Sequence, residues 1–126
     1  MRNLATDEFL AQVHNNLGVI YSEKQVFEKA GREYDRALDL DPRLAAAWYN
    51  FGNDLLRLGE VRRAVRYFTK SLRLYPTDVW ALKNRGLGYM KAGKKQKARK
   101  YFETALKIDP RSEQARKNLE GMISAH

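Results

Sequence analysis

Apolar positions along the chain fall three and four residues apart, in paired stretches too long for strands. The pattern predicts first helices near 7–24, 44–57 and 78–91, and second helices near 26–39, 61–74 and 95–108. The pattern also repeats. Pro42, Pro76 and Pro110 are separated by steps of 34 residues. The same step relates Gly18, Gly52 and Gly86, then Ala30, Ala64 and Ala98, then Tyr34, Phe68 and Phe102. A fixed period of this length marks a stack of helical hairpins. Such a stack has no catalytic cleft of its own and offers an elongated surface for holding another molecule.

Each recurring residue has a physical reading. A glycine inside a helix costs up to about 1 kcal/mol against alanine, so Gly18, Gly52 and Gly86 imply a close helix crossing. Ala30, Ala64 and Ala98 are expected to face them, with Tyr34, Phe68 and Phe102 filling the space between successive hairpins. The prolines follow the ends of second helices, where a missing N–H does little harm. Gly59 and Gly93 form the turns inside the second and third hairpins, and the first has Gln25 there. If that turn needs a left-handed residue, glutamine costs about 1–2 kcal/mol more than glycine. Strain or a changed turn is therefore expected at Lys24–Gln25. A seventh helix over 113–124 has one apolar stripe of Ala115, Leu119, Met122 and Ile123, with Arg116, Lys117 and Glu120 toward water. Glu120 stands where earlier first helices have glycine, which suits a terminal cap with no helix to follow.

The segments NNLGVIY (15–21), YNFGNDL (49–55) and KNRGLGY (83–89), each followed in register by alanine, an aromatic residue and proline, resemble the tetratricopeptide repeat family. The resemblance covers residues 11–112 and implies an all-α, right-handed superhelix. Its three helix-turn-helix repeats would span 11–44, 45–78 and 79–112, with the capping helix at 113–124 and a single domain over 1–126.

Composition narrows the picture further. There is no cysteine among the 126 residues, which removes disulfides and thiol chemistry. No apolar run is long enough to cross a bilayer. The start MRNLATDEFL does not read as a secretion signal, so a cytoplasmic location is the default expectation. With Met1 close to the first helix, the chain reads as a small free-standing protein or an excised domain. The net charge of +9 is unevenly spread: residues 1–44 carry −2, 45–78 carry +3 and 79–112 carry +8. That gradient favours an acidic partner at the C-terminal half. The bland reading of Lys94, Lys95, Lys97, Arg99 and Lys100 is a solvated surface.

Several motifs resemble chemistry without its context. Gly88–Lys95 reads GYMKAGKK, near a phosphate-binding loop, but it lacks the final hydroxyl and lies at a helix end and turn. Gly93 is already explained as a turn, so no nucleotide cofactor is expected. His14, in register with Trp48 and Leu82, reads as a packing residue at an edge, and His126 is the terminus. Two separated histidines make no metal set, and no nucleophile–base pair can be placed in a shared cleft. The chain is therefore expected not to be an enzyme.

The family resemblance implies that the first helices line a concave groove. One groove series is Asn16, Asn50, Asn84 and Asn118, four asparagines in register. An amide offers both donor and acceptor, and so can hold a peptide backbone or pair between adjacent helices. A second series is Asn15, Tyr49, Lys83 and Lys117, and a third is Gln12, Ala46, Trp80 and Gln114. Asn53, Leu87, Arg57, Lys91, Leu56 and Met90 lie toward the far lip. The expected ligand-binding set is Asn16, Tyr49, Asn50, Asn53, Arg57, Trp80, Lys83, Asn84, Leu87 and Lys91. Trp80 is either an anchor for a ligand or a core residue. Some family members bind the acidic tail of chaperones through a two-carboxylate clamp. Its positions correspond here to Asn15, Val19, Asn50, Trp80 and Asn84, of which only Asn50 matches, so that ligand is disfavoured.

The leading expectation is a non-catalytic scaffold holding a protein or peptide segment that is acidic and has an apolar anchor. The alternatives are self-association through the uncovered N-terminal edge at Leu4, Phe9, Leu10 and Val13, and a substrate-recognition arm of a larger enzyme. No specific nucleic-acid signature and no membrane insertion is read from the chain.

Overall fold

The computed structural model describes residues 3–124, the last two without side-chain detail. Met1, Arg2 and His126 lie outside the described residues, as does the side chain of Ile123, expected in the stripe of the seventh helix. Seven helices and no strand are found among the described residues. They are α1 (Leu4–Glu23), α2 (Phe27–Leu40), α3 (Ala45–Arg57), α4 (Val61–Leu74), α5 (Val79–Lys91), α6 (Lys95–Ile108) and α7 (Glu113–Ser124). Only α1 departs by more than two residues from its expected start. The Asn3 carboxamide accepts from the N–H groups of Ala5 and Thr6 and caps the helix early.

Three hairpins, α1/α2, α3/α4 and α5/α6, stack in chain order, and α7 closes the last against α6. Each hairpin turn ends its first helix in the same way. The N–H of Val26, Glu60 and Lys94 returns to the carbonyl five residues earlier, on Tyr21, Leu55 and Tyr89, at 2.8–2.9 Å. The residue before it is left-handed: Gly59 at φ 81°, Gly93 at φ 77° and Gln25 at φ 62°. This closure needs a left-handed residue at that place, so the first hairpin keeps the turn and places the strain on Gln25.

The contact made by the glycines corrects one expectation. A Cβ on Gly52 would stand 2.8 Å from Phe68, and one on Gly86 would stand 2.7 Å from Phe102. A Cβ on Gly18 would collide with Tyr34. The glycine therefore makes room for the aromatic ring of its own hairpin, not for the small alanine. Ala30, Ala64 and Ala98 are fully buried one turn before those rings. The rings also reach the next hairpin, as where Tyr34 and Phe51 lie 5.5 Å apart. Ser71 stands where the period has Ala37 and Ala105, and its hydroxyl donates to the Ala45 carbonyl at 3.0 Å.

Candidate functional site

The candidate surface runs across the first helix of each hairpin. On α5 it begins at Asp78, whose carboxylate accepts from the N–H groups of Trp80 and Ala81 and fixes the first turn. Trp80 stands on that turn, 60 % exposed. It is therefore not core. One turn on, Lys83 lays its ammonium 3.7 Å from the centre of the indole ring, a cation–π contact. Lys83 is only 5 % exposed. The sequence places it as an open basic residue of the groove, whereas the folded lysine is spent on Trp80. The free positive charge at this surface belongs to Arg57 and Lys91, both exposed.

Two members of the asparagine series, Asn50 and Asn84, are engaged between helices. The Asn84 amide nitrogen donates to the Tyr49 hydroxyl at 3.1 Å and to the Asn53 carboxamide oxygen at 2.6 Å. The Asn50 amide donates to Asn15 at 3.1 Å. Asn16, exposed, accepts from Gln12 on its own helix at 3.0 Å. The amide nitrogen of Asn118 is buried with no partner. The register explains why: the residues equivalent to Tyr49 and Asn53 are Lys83 and Leu87, which offer no acceptor. Tyr49 sits in this network with its ring 6.0 Å from Phe68, and burial pushes its phenol above the usual range. Leu87 is half-buried against the cluster of Phe102 and Met122. The structure thus joins Tyr49, Asn53 and Asn84 across α3 and α5 and pairs Trp80 with Lys83 on α5. Asn16 is apart from them on α1.

Three features escape the repeat pattern. Ser22 donates to Asp54 at 2.6 Å, both buried. Burial raises the Asp54 carboxyl above its ordinary value, against the smaller pull of Ser22 and Arg57. The pair lines a pocket of about 210 Å³ between α1 and α3. His14 is not merely a packing residue: its Nδ1 lies 2.7 Å from Glu33 on α2, whose other oxygen accepts from Arg36 at 2.8 Å. Finally, a cleft of about 520 Å³ on the second-helix side is lined by Arg62, Arg66, Lys94 and Lys97 around Val65 and Tyr89. The Gly88–Lys95 segment supplies part of its wall as a helix end and a turn. Only local charge could have pointed to this cleft.

Models of the tetratricopeptide repeat family match residues 9–77 and 79–112. No curated protein matches the chain. Solved structures similar to it include the first TPR of Spaghetti (RPAP3) bound to the HSP90 peptide SRMEEVD, 22 % identical with TM-score 0.91 over 94 % of each chain. The Arabidopsis OM64 TPR domain is 22 % identical with TM-score 0.89, over 95 % of this chain and 98 % of that one. The N-terminal domain of stress-induced protein-1 (STI-1) from C. elegans is 22 % identical with TM-score 0.81, over 90 % and 97 %. These likenesses establish the fold as an all-α, right-handed tetratricopeptide superhelix.

Proposed function

The chain belongs to the tetratricopeptide repeat family, and we propose that it is a non-catalytic interaction module whose first-helix groove holds a segment of a partner protein. One observation carries the reading: Trp80 stands exposed on a capped helix turn, steadied by Lys83, beside a cross-linked Tyr49–Asn84–Asn53 platform. A large aromatic side chain already fixed before binding loses little freedom on contact, which is the usual character of an anchor. Arg57 and Lys91 supply exposed positive charge at the C-terminal ends of α3 and α5, about three turns along from Trp80, so the preferred segment places acidic residues that far from its apolar anchor. The similar Spaghetti domain is bound to an acidic chaperone peptide. Here Trp80 and Asn84 occupy clamp positions that call for cations, so a different acidic segment is favoured. The repeats 11–44, 45–78 and 79–112 and the cap 113–124 act as one binding unit.

The test is selection of random peptides on the whole chain, followed by affinity and melting measurements on variants. Trp80→Ala should lose about 2 kcal/mol or more of binding, with a change in stability well below the roughly 3–5 kcal/mol of an emptied core site. Equal binding by Trp80→Ala would remove the anchor.

The exposed face of α1 favours a second reading, self-association. Leu4 is 70 % and Phe9 68 % exposed, with Leu10 and Val13 also exposed on the same helix. Sedimentation should then show a concentration-dependent size that Phe9→Glu abolishes.

A further inference from the structure

The small pocket between α1 and α3 holds an unfinished interaction. Asp54 is 3 % exposed, and its Oδ2 is buried with no hydrogen-bond partner. The other oxygen is tied to Ser22, which fixes the carboxylate in place. A carboxylate removed from water is costly unless it is paired. The chain does not pair it. Arg57 lines the same pocket but acts on Asp54 only through space, with no ion pair between them. The Asn50 amide nitrogen is committed to Asn15, and the Asn53 oxygen to Asn84. Glu23, also in the lining, adds a second negative charge. Tyr34 is buried beneath, against the Gly18 backbone.

The pair is foreign to the repeat. One step of the period away from Asp54 stand Ile20 and Gly88, and Ser22 is matched by Leu56 and Met90. The general packing of the hairpins therefore does not require a carboxylate here. A group that satisfies Oδ2 from the pocket must donate an N–H or O–H, and a cation among such groups also offsets the buried charge.

We propose that this pocket takes the ammonium or guanidinium end of a lysine or arginine side chain carried by the segment bound in the groove. The inference rests on the groove reading above and gives that segment a charge order. A basic residue lies over α1 and α3, and the acidic residue with its apolar anchor lies toward α5. An ordered water, or Arg57 swung onto Asp54, is the rival occupant.

The whole chain is titrated with n-butylguanidinium and, separately, with uncharged n-butylurea, while the carboxyl carbon of Asp54 and the signals of Ser22 are followed by NMR. The guanidinium should give a saturable shift that the urea does not. Asp54→Asn should lose at least about tenfold in affinity, the scale of a charge-assisted hydrogen bond, and Arg57→Gln, which removes a competing cation from the lining, should raise it. Circular dichroism shows whether each variant is folded. No saturable shift, or equal binding of the urea, overturns the inference. So does guanidinium binding that survives in Asp54→Asn. The peptide selection separates this pocket from the groove. Binders lost on Trp80→Ala should carry lysine or arginine at a fixed place, and reselection on Asp54→Asn should lose that residue. Groove binders without it overturn the inference and leave the groove reading standing. A selection with no groove binders overturns the groove reading, and the guanidinium titration still decides the pocket.

Discussion

A single methyl group is enough to probe the interior of each hairpin. The Cβ of Gly52→Ala would stand 2.8 Å from the Phe68 ring, which is fully buried and has no space to swing. The expected cost is about 1–3 kcal/mol, read from a denaturant midpoint. Gly121→Ala is the control: nothing lies within 4 Å of the added carbon, so helix propensity alone should stabilise by up to about 1 kcal/mol. Asp54 gives a prediction in pH. Its folded-state pKa is raised by burial, so the native state holds the proton more tightly than the unfolded chain does. Its contribution to stability is present at low pH and is lost as pH rises through the window above the ordinary 3.8. The melting temperature of Asp54→Asn minus that of the wild type should therefore grow across that window and be flat below it. A constant difference would mean that the carboxylate is not penalised. The glycines were legible in the sequence because they obey the period. Ser22–Asp54 and His14–Glu33 were not, since they join residues 32 and 19 apart on different helices. A repeat reveals what recurs, and these pairs occur once.

At the scale of the element, the turns show how strongly the stack dictates local geometry. Gln25 accepts a left-handed backbone because the Val26 to Tyr21 closure is the same as in the two glycine turns. Gln25→Gly should relieve the strain but also loosen the unfolded chain, leaving a net gain of about 1 kcal/mol or less. Urea unfolding would measure it, and a loss would show that the glutamine side chain stabilises the turn in some other way. The helix bounds were readable to within two residues except at α1, where Asn3 caps a turn earlier than the apolar pattern implies. The direction of the ladder amides could not be read, because the period fixes spacing but not which neighbour an amide meets. Lys83 shows the same limit. Its register places it on the groove, while its own stem and Trp80 take it out of solvent.

Across the whole molecule, charge climbs toward the C-terminal half, with the third repeat alone carrying +8. An acidic segment held near Arg57 and Lys91 should bind more weakly as salt rises. At about 1 M ionic strength the screening length falls to about 3 Å, yet contact with Trp80 should persist. Affinity independent of salt would remove the acidic preference. The Asn50 and Asn84 bonds carry a further consequence, for lengthening the array. The two middle ladder amides donate toward the preceding repeat, Asn50 to Asn15 and Asn84 to Tyr49 and Asn53. A spliced-in copy of residues 45–78 would bring its own Asn50 against the Tyr49 and Asn53 of the copy before it. Every Asn50 copy, and Asn84 after them, then finds acceptors. A spliced-in copy of 79–112 would instead set its Asn84 against Lys83 and Leu87, as Asn118 already is, and strand one more buried amide per copy. The second repeat is thus a self-compatible building block and the third is a terminator, so growth by tandem duplication is open at one place in the array and closed at the next.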